Sequence, residues 1–309
     1  MGYIIKQCFP FRYLRQLPSH ELYVPLRRDY VNSRGPYVTR ITAVDSPRTT
    51  LPNPLKVQWC SMENGSYPLI YPVVTIKPAF DGRGQAVTWN VHIKSNSDLA
   101  ESNTGLDVSY LFWAVQYALT RTEGCSLSLT PPASPTLGES KLEVEHFNPI
   151  TPDLTPSDSG LLPIQDVTSY LDSALKVLGL HTEARTSFIT YWLLSLLKHK
   201  HVALRFLPQM AYERAALLDV SPRPNIIMRV FMLFKGVNDD ELESSWNHAV
   251  QRASRDVDFW VDVVGVDIRR ATDFSLFRVL ERGGMEALWH YFILPVTDIE
   301  SQLARTCIF

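Results

Sequence analysis

The chain has 309 residues, 45% hydrophobic and 20% charged, with 30 Lys and Arg against 32 Asp and Glu. An ordinary apolar fraction and a net charge of −2 exclude a wholly disordered chain. With a pI near 6.4 there is also no bulk basic footprint for nucleic acid. Cys8, Cys60, Cys125 and Cys307 are scattered without a CxxC, so reduced thiols are expected rather than a disulfide framework or a zinc site. Lys6, Arg12 and Arg15 interrupt every early apolar run, which argues against a secretory signal. No apolar stretch approaches the ~20 residues of a membrane span. A soluble cytoplasmic protein is expected, with no membrane or nucleic-acid partner and an oligomeric state the sequence does not specify.

In chain order, residues 1–65 form a Pro- and Tyr-rich extension. Within 1–50, eight basic residues face three acids, and interleaved aromatics such as Tyr3, Phe9, Tyr23 and Tyr37 favour loops and short strands wrapped on a main body. Residues 66–127 read as a β-rich half. Val73-Val74-Thr75-Ile76 is a strand candidate between Pro72 and Pro78, and Asp81-Gly82-Arg83-Gly84 is a turn. Residues 86–93 alternate, with Val87, Trp89, Val91 and Ile93 on one face. Residues 95–104 read as a polar loop, and 108–113 as an aromatic strand buried on both faces. Residues 128–163 read as an acidic Pro/Ser-rich loop or linker. Between 130 and 175 seven acids face Lys141 alone, so this stretch could fold onto the basic start.

Residues 164–309 read as an α+β half. Val167, Tyr170, Leu171, Ala174, Leu175 and Leu178 fall on one helical face, and Gly179 stops the helix. A second helix, capped by Thr182, carries Phe188, Ile189, Trp192, Leu193, Leu196 and Leu197, with Lys198, His199 and Lys200 at its carbonyl end. A short strand over 202–207 and the strongest strand, 226–235, follow. In the latter, Met228, Val230, Met232 and Phe234 face one way and Arg229, Phe231 and Leu233 the other. Asp239 or Asp240 is expected to cap one long helix over 239–262. Phe277-Arg278-Val279-Leu280 is a strand, Gly283-Gly284 a turn, and 286–294 an apolar docking tail.

Several phrases resemble those of one protein family, common in bacteria and present in fungi. Its members open with a segment like KPVIYLYP and continue with a YLFWE-like strand, an FITYWLP-like helix, an RVFMLFKG-like strand and a VVEWGG-like strand. The corresponding phrases here are Tyr67-Pro68-Leu69-Ile70-Tyr71-Pro72, Tyr110-Leu111-Phe112-Trp113, Phe188-Ile189-Thr190-Tyr191-Trp192-Leu193, the run from Arg229 to Gly236, and Val279-Leu280-Glu281-Arg282-Gly283-Gly284. The order is preserved over roughly 66–125, 164–237 and 276–287. Ala114 stands where the family has Glu, and Arg282 where it has Trp. The resemblance implies a fold, a β-rich half joined to an α+β half, and carries no activity with it.

Ser195-Leu196-Leu197-Lys198 has an SxxK spacing without its companion motifs, and no GxSxG, GxGxxG or P-loop is present. His199 and His201 could share a metal, as could Glu143, Glu145 and His146, but helix-dipole complementation and a surface loop explain these residues more simply, so no metal is expected. More informative are Arg229 and Arg205, set inside apolar strands. Buried arginine requires a carboxylate, for which Glu281 and Asp219 are candidates. The functional alternative is a ligand pocket floored by arginine. Its candidate catalytic residues are His92 and Arg229, and Trp89, Tyr110, Trp113 and Arg205 are its candidate substrate-binding residues.

The expected fold is α+β, an antiparallel β-sandwich-like N-terminal half packed against a C-terminal α+β half. Two functions are open. One is a cofactor-independent isomerase, cyclase or lyase acting on a small apolar or polyketide-like molecule, in a fungal secondary-metabolite setting. The other is a non-catalytic binding or scaffold protein that uses β-edges and charged extensions.

Overall fold

The computed structural model describes residues 37–44, 54–61, 66–79, 84–94, 98–117, 147–149 and 151–287. The expected contact between basic arm and acidic loop, the turn at 81–83, the Glu143/Glu145/His146 cluster and most of the apolar tail lie outside them.

The strands come first in the chain: β1 (Tyr37–Val44), β2 (Leu55–Ser61), β3 (Ser66–Tyr71), β4 (Ile76–Pro78), β5 (Gln85–Ile93), β6 (Leu99–Glu101), β7 (Asp107–Val108), β8 (Leu111–Tyr117) and β9 (Gly160–Pro163). Helices α1 (Ile164–Val177) and α2 (Thr182–Leu196) follow, then β10 (His201–Phe206), α3 (Gln209–Ala215), β11 (Ala216–Ser221) and β12 (Ile226–Val237). Next are α4 (Asp239–Ser245), α5 (Asn247–Ala253), α6 (Phe259–Val264), α7 (Ile268–Ala271) and β13 (Arg278–Glu286). A seven-stranded sheet has the order β3-β8-β1-β13-β12-β10-β9, and a smaller sheet the order β11-β2-β5-β6-β7, with β4 on β5. Among the described residues all pairings are antiparallel except β12 with β13. The α+β class holds.

The period-2 pattern of β12 explains the layering. Phe231 and Leu233 face a core shared with Trp59, Val87, Trp89 and Val91 of the small sheet. Met228, Val230, Met232 and Phe234 face a second core with α1, α2 and α6. The molecule is thus helices on sheet on sheet. Trp59 stacks on Trp113 with ring centroids 3.6 Å apart, which ties the two sheets together. Side chains of this size each contribute roughly 1.5–3 kcal/mol by leaving water.

Strand pairing crosses the boundaries read from the sequence. β1, inside the expected extension, lies in the middle of the large sheet between β8 and β13. β11, from the α+β half, pairs with β2. Alternation shows which face a strand buries but not which strand it joins, so the sandwich draws on both halves.

Several local expectations are corrected. Part of the linker packs onto the body, with Phe147, Leu154 and Ser159 buried. β6 lies inside the expected polar loop, and the turn after it is held by Glu101. That carboxylate accepts from Thr104 N at 2.8 Å, Asn103 N at 3.0 Å and Thr104 Oγ1 at 2.9 Å. His181, not Thr182, caps α2, its Nδ1 accepting from Ala184 N at 3.4 Å. The long helix is three short ones, and Asn238 begins the first in a capping box with Glu241. Gly283-Gly284 is not a turn, because β13 runs straight through it. A Cβ on Gly284 would lie 3.1 Å from the Trp192 ring, so glycine lets α2 press onto the sheet. Gly179 does follow α1, with Leu180 N to Leu175 O at 3.0 Å and Gly179 N to Lys176 O at 3.0 Å.

Candidate active site

The residues expected to line one pocket are spread through the structure. Trp89 is fully buried between the sheets, and its Nε1 donates to Pro72 O at 2.9 Å. His92, on the opposite face of β5, is exposed to solvent across from Ala100. Tyr110 is half-buried between β7 and β8. Trp113 is covered by Trp59. Arg205 is ion-paired with Asp158 on the segment before β9.

Arg229 meets Glu281 across the parallel β12–β13 pair, where the two lie in register. Glu281 has no exposure and also accepts from Tyr212 Oη at 2.9 Å. The Arg229 guanidinium lies 4.3 Å from the centroid of the Tyr212 ring, and its backbone N donates to Gln209 Oε1 at 2.7 Å. Of the two carboxylates expected for the buried arginines, Glu281 pairs with Arg229, while Asp219 is exposed on β11 and Arg205 takes Asp158 instead. This is a closed interior ion pair: the arginine spends its charge on the fold.

A second pair, whose acid is also on β13, is open. β12 and β13 end together beside the start of β10, and a cleft of about 340 Å³ lies there. Its wall includes His199, Gly236, Asn238, Asp239, Glu286 and Ala287. Glu286 is the last residue of β13, where Ala287 N bonds to Phe234 O at 2.7 Å. His199 follows α2, its N bonded to Leu196 O at 3.1 Å. The imidazole Nε2 and Glu286 Oε1 are 2.8 Å apart, although the residues are 87 apart in sequence.

Gly236 sets the position of the ring. A Cβ there would lie 2.2 Å from Nδ1, 2.6 Å from Cγ and 2.7 Å from Cε1 of His199. Nearly equal distances to Nδ1 and both of its neighbours place the missing atom over the face of the ring, not beyond its edge. The imidazole therefore lies flat on the glycine. In the tautomer that donates from Nε2 to Glu286, Nδ1 carries an in-plane lone pair, while Gly236 lies against the ring face. A carboxylate-oriented imidazole of this kind can act as a general base.

At the rim, Lys200 Nζ bonds to Asp239 Oδ2 at 2.9 Å, and His201 Nδ1 is 3.6 Å from Asp239 Oδ1. The hydrogen bond and charge of Asp239 raise the pKa of Lys200, and the hydrogen bond and charge of Lys200 lower that of Asp239. His199 and His201 thus serve different acids, and among the described residues no group of three His, Cys, Asp or Glu is placed to hold a metal. Cys60 forms no disulfide among the described residues, and its Sγ accepts from Gln58 Nε2 at 3.8 Å. No helix among the described residues is long and apolar enough to cross a membrane.

The sequence held two signals for this cleft. Gly236 ends the longest apolar phrase, and His199 follows a helix end. Neither shows that Glu286 lies beside them. Comparison with protein-family models, with curated proteins and with solved structures finds no match to this chain.

Proposed function

We propose that the chain is an enzyme of isomerase, cyclase or lyase type that moves a proton on a small, oxygen-rich molecule without a resident redox cofactor. His199 is the catalytic base and Glu286 its positioning carboxylate. The observation that carries this reading is the 2.8 Å His199–Glu286 contact opening onto a cleft. Nδ1 removes a proton beside a carbonyl, Glu286 stabilises the resulting imidazolium, and the same nitrogen returns the proton elsewhere on the substrate. A positioned base of this kind contributes on the order of 10²–10⁴ in rate. The wall, with Lys198, Lys200, Asn238 and Asp239, suits polar oxygens better than an apolar ligand. The family resemblance and the Pro/Ser-rich insert favour a fungal secondary-metabolite setting. Untargeted metabolite profiling tests the reading with three strains of the source organism: wild type, gene deleted, and His199→Gln. The same precursor should accumulate in the last two; a His199→Gln profile matching wild type would sink the assignment.

A binding role is the second reading. It is favoured by edge strand β3 and the segment after it, where Leu69, Tyr71, Val73 and Ile76 are 51%, 47%, 64% and 38% exposed. Apolar side chains along an open sheet edge can accept an added strand.

A further inference from the structure

Lys235 closes the apolar run of β12 and is 4% exposed. The alternation of the strand turns it away from the face of Phe234 and toward the layer between the sheets. Its Nζ lies 4.9 Å from the centroid of the Trp246 ring. Its charged neighbours are Glu241 on α4 and Asp153 and Asp158 on the segment before β9. Desolvation outweighs the attraction of these three carboxylates and holds the amine below its ordinary value of 10.5. Lys235 is also part of the cleft wall, beside Gly236. A desolvated amine against an aromatic ring at the margin of a cleft is the setting in which lysine acts as a nucleophile toward carbonyl carbon.

We propose that Lys235 is a carbonyl-reactive amine that condenses with a small aldehyde or ketone. The neutral Nζ attacks the carbonyl carbon and a C=N bond forms. The C=O bond breaks, and its oxygen leaves as water with the two amine protons. No oxidant or reductant takes part. This goes beyond the proton-transfer reading and does not depend on His199. It assigns a carbonyl compound as ligand class through a different residue.

The test uses the intact chain at neutral pH, treated with glyoxylate or, separately, propionaldehyde, then with sodium borohydride, followed by peptide mapping. Reduction turns the imine into a stable secondary amine. The adduct at Lys235 should form several-fold faster than at the exposed Lys198 and Lys200, because an amine held below its ordinary pKa is more often neutral. Preference for glyoxylate would mark an anionic carbonyl ligand, and equal labelling a neutral one; either supports the assignment. Lys235→Met and Lys235→Arg should lack the adduct while exposed lysines still react. Labelling that follows exposure alone, with Lys235 no faster than Lys198, would overturn the proposal, and the wild-type map decides this even if a variant fails to fold. A failed His199→Gln test leaves this result untouched, so the two inferences fall separately.

Discussion

β13 supplies the acid of two acid–base pairs that differ in surroundings more than in kind. Arg229–Glu281 lies mid-strand between the sheets, with Tyr212 closing over it. His199–Glu286 lies at the strand ends, on the helix side, where a cleft reaches it. Both carboxylates belong to β13, five positions apart and therefore on opposite faces. The closed pair cannot release its partner without leaving a bare charge in the interior. The open pair can exchange a proton with a ligand. Which of them a ligand could reach follows from access, and access is decided by where along the strand each acid falls.

The largest expected effect breaks the closed pair. Arg229→Leu strands Glu281 as an uncompensated buried carboxylate and should cost about 3–5 kcal/mol in chemical denaturation. Adding Glu281→Leu should restore most of that loss, since two apolar groups replace a desolvated pair. If the single variant melts like wild type, the pair is not the structural element described here. Next comes the open pair. Gly236→Ala places a methyl where the His199 ring lies, and should cost about 1–3 kcal/mol through forced displacement. The His199 imidazole resonances should shift and lose their coupling to Glu286→Gln, while Arg229 stays paired. Unchanged resonances would mean that the glycine does not position the ring.

Much of the fold was legible because alternation is local. The two faces of β12 follow from its own residues, as do the inward Val87, Trp89 and Val91 of β5. Arg229's need for a carboxylate, and Glu281 as a candidate, were legible for the same reason: charge inside an apolar strand demands an answer. The strand partners were not. Nothing in residues 37–44 shows that they pair with 278–284, and this missing link placed β1 in an extension and made Gly283-Gly284 look like a turn. The cleft was hidden in the same way. His92 looked chemically suited because it was a histidine in a strand, but its position on β5 turns it to solvent. His199 looked like a helix-end cation because its acid lies 87 residues away.

Smaller effects sharpen the comparison by testing histidines outside the cleft. His181, at the other end of α2 from His199, caps the helix only while Nδ1 is an acceptor. Desolvation lowers its pKa below 6.5; Glu183 opposes this, and Arg282, Arg278 and Arg185 add to it. Above about pH 6.5 the imidazole is neutral in folded and unfolded chains and the cap is intact. As pH falls through that value the unfolded chain takes up the proton first, so stability declines until pH passes below the folded value. The cap is worth about 1 kcal/mol. His181→Asn keeps a capping oxygen without the titration, so its denaturation midpoint should hold between pH 7 and 5 while that of wild type drops. Parallel curves would show that the drop has another source.

The smallest effect belongs to His92. Its side chain faces water, so His92→Ala should change stability by no more than about 0.5 kcal/mol and leave the metabolite profile as in wild type. That outcome would sharpen the contrast with His199: the same side chain, one with a carboxylate and a cleft wall, the other with neither. A precursor accumulating in the His92→Ala strain would instead move the chemistry to the outer face of the small sheet, and the open pair on β13 would then be structural like the closed one.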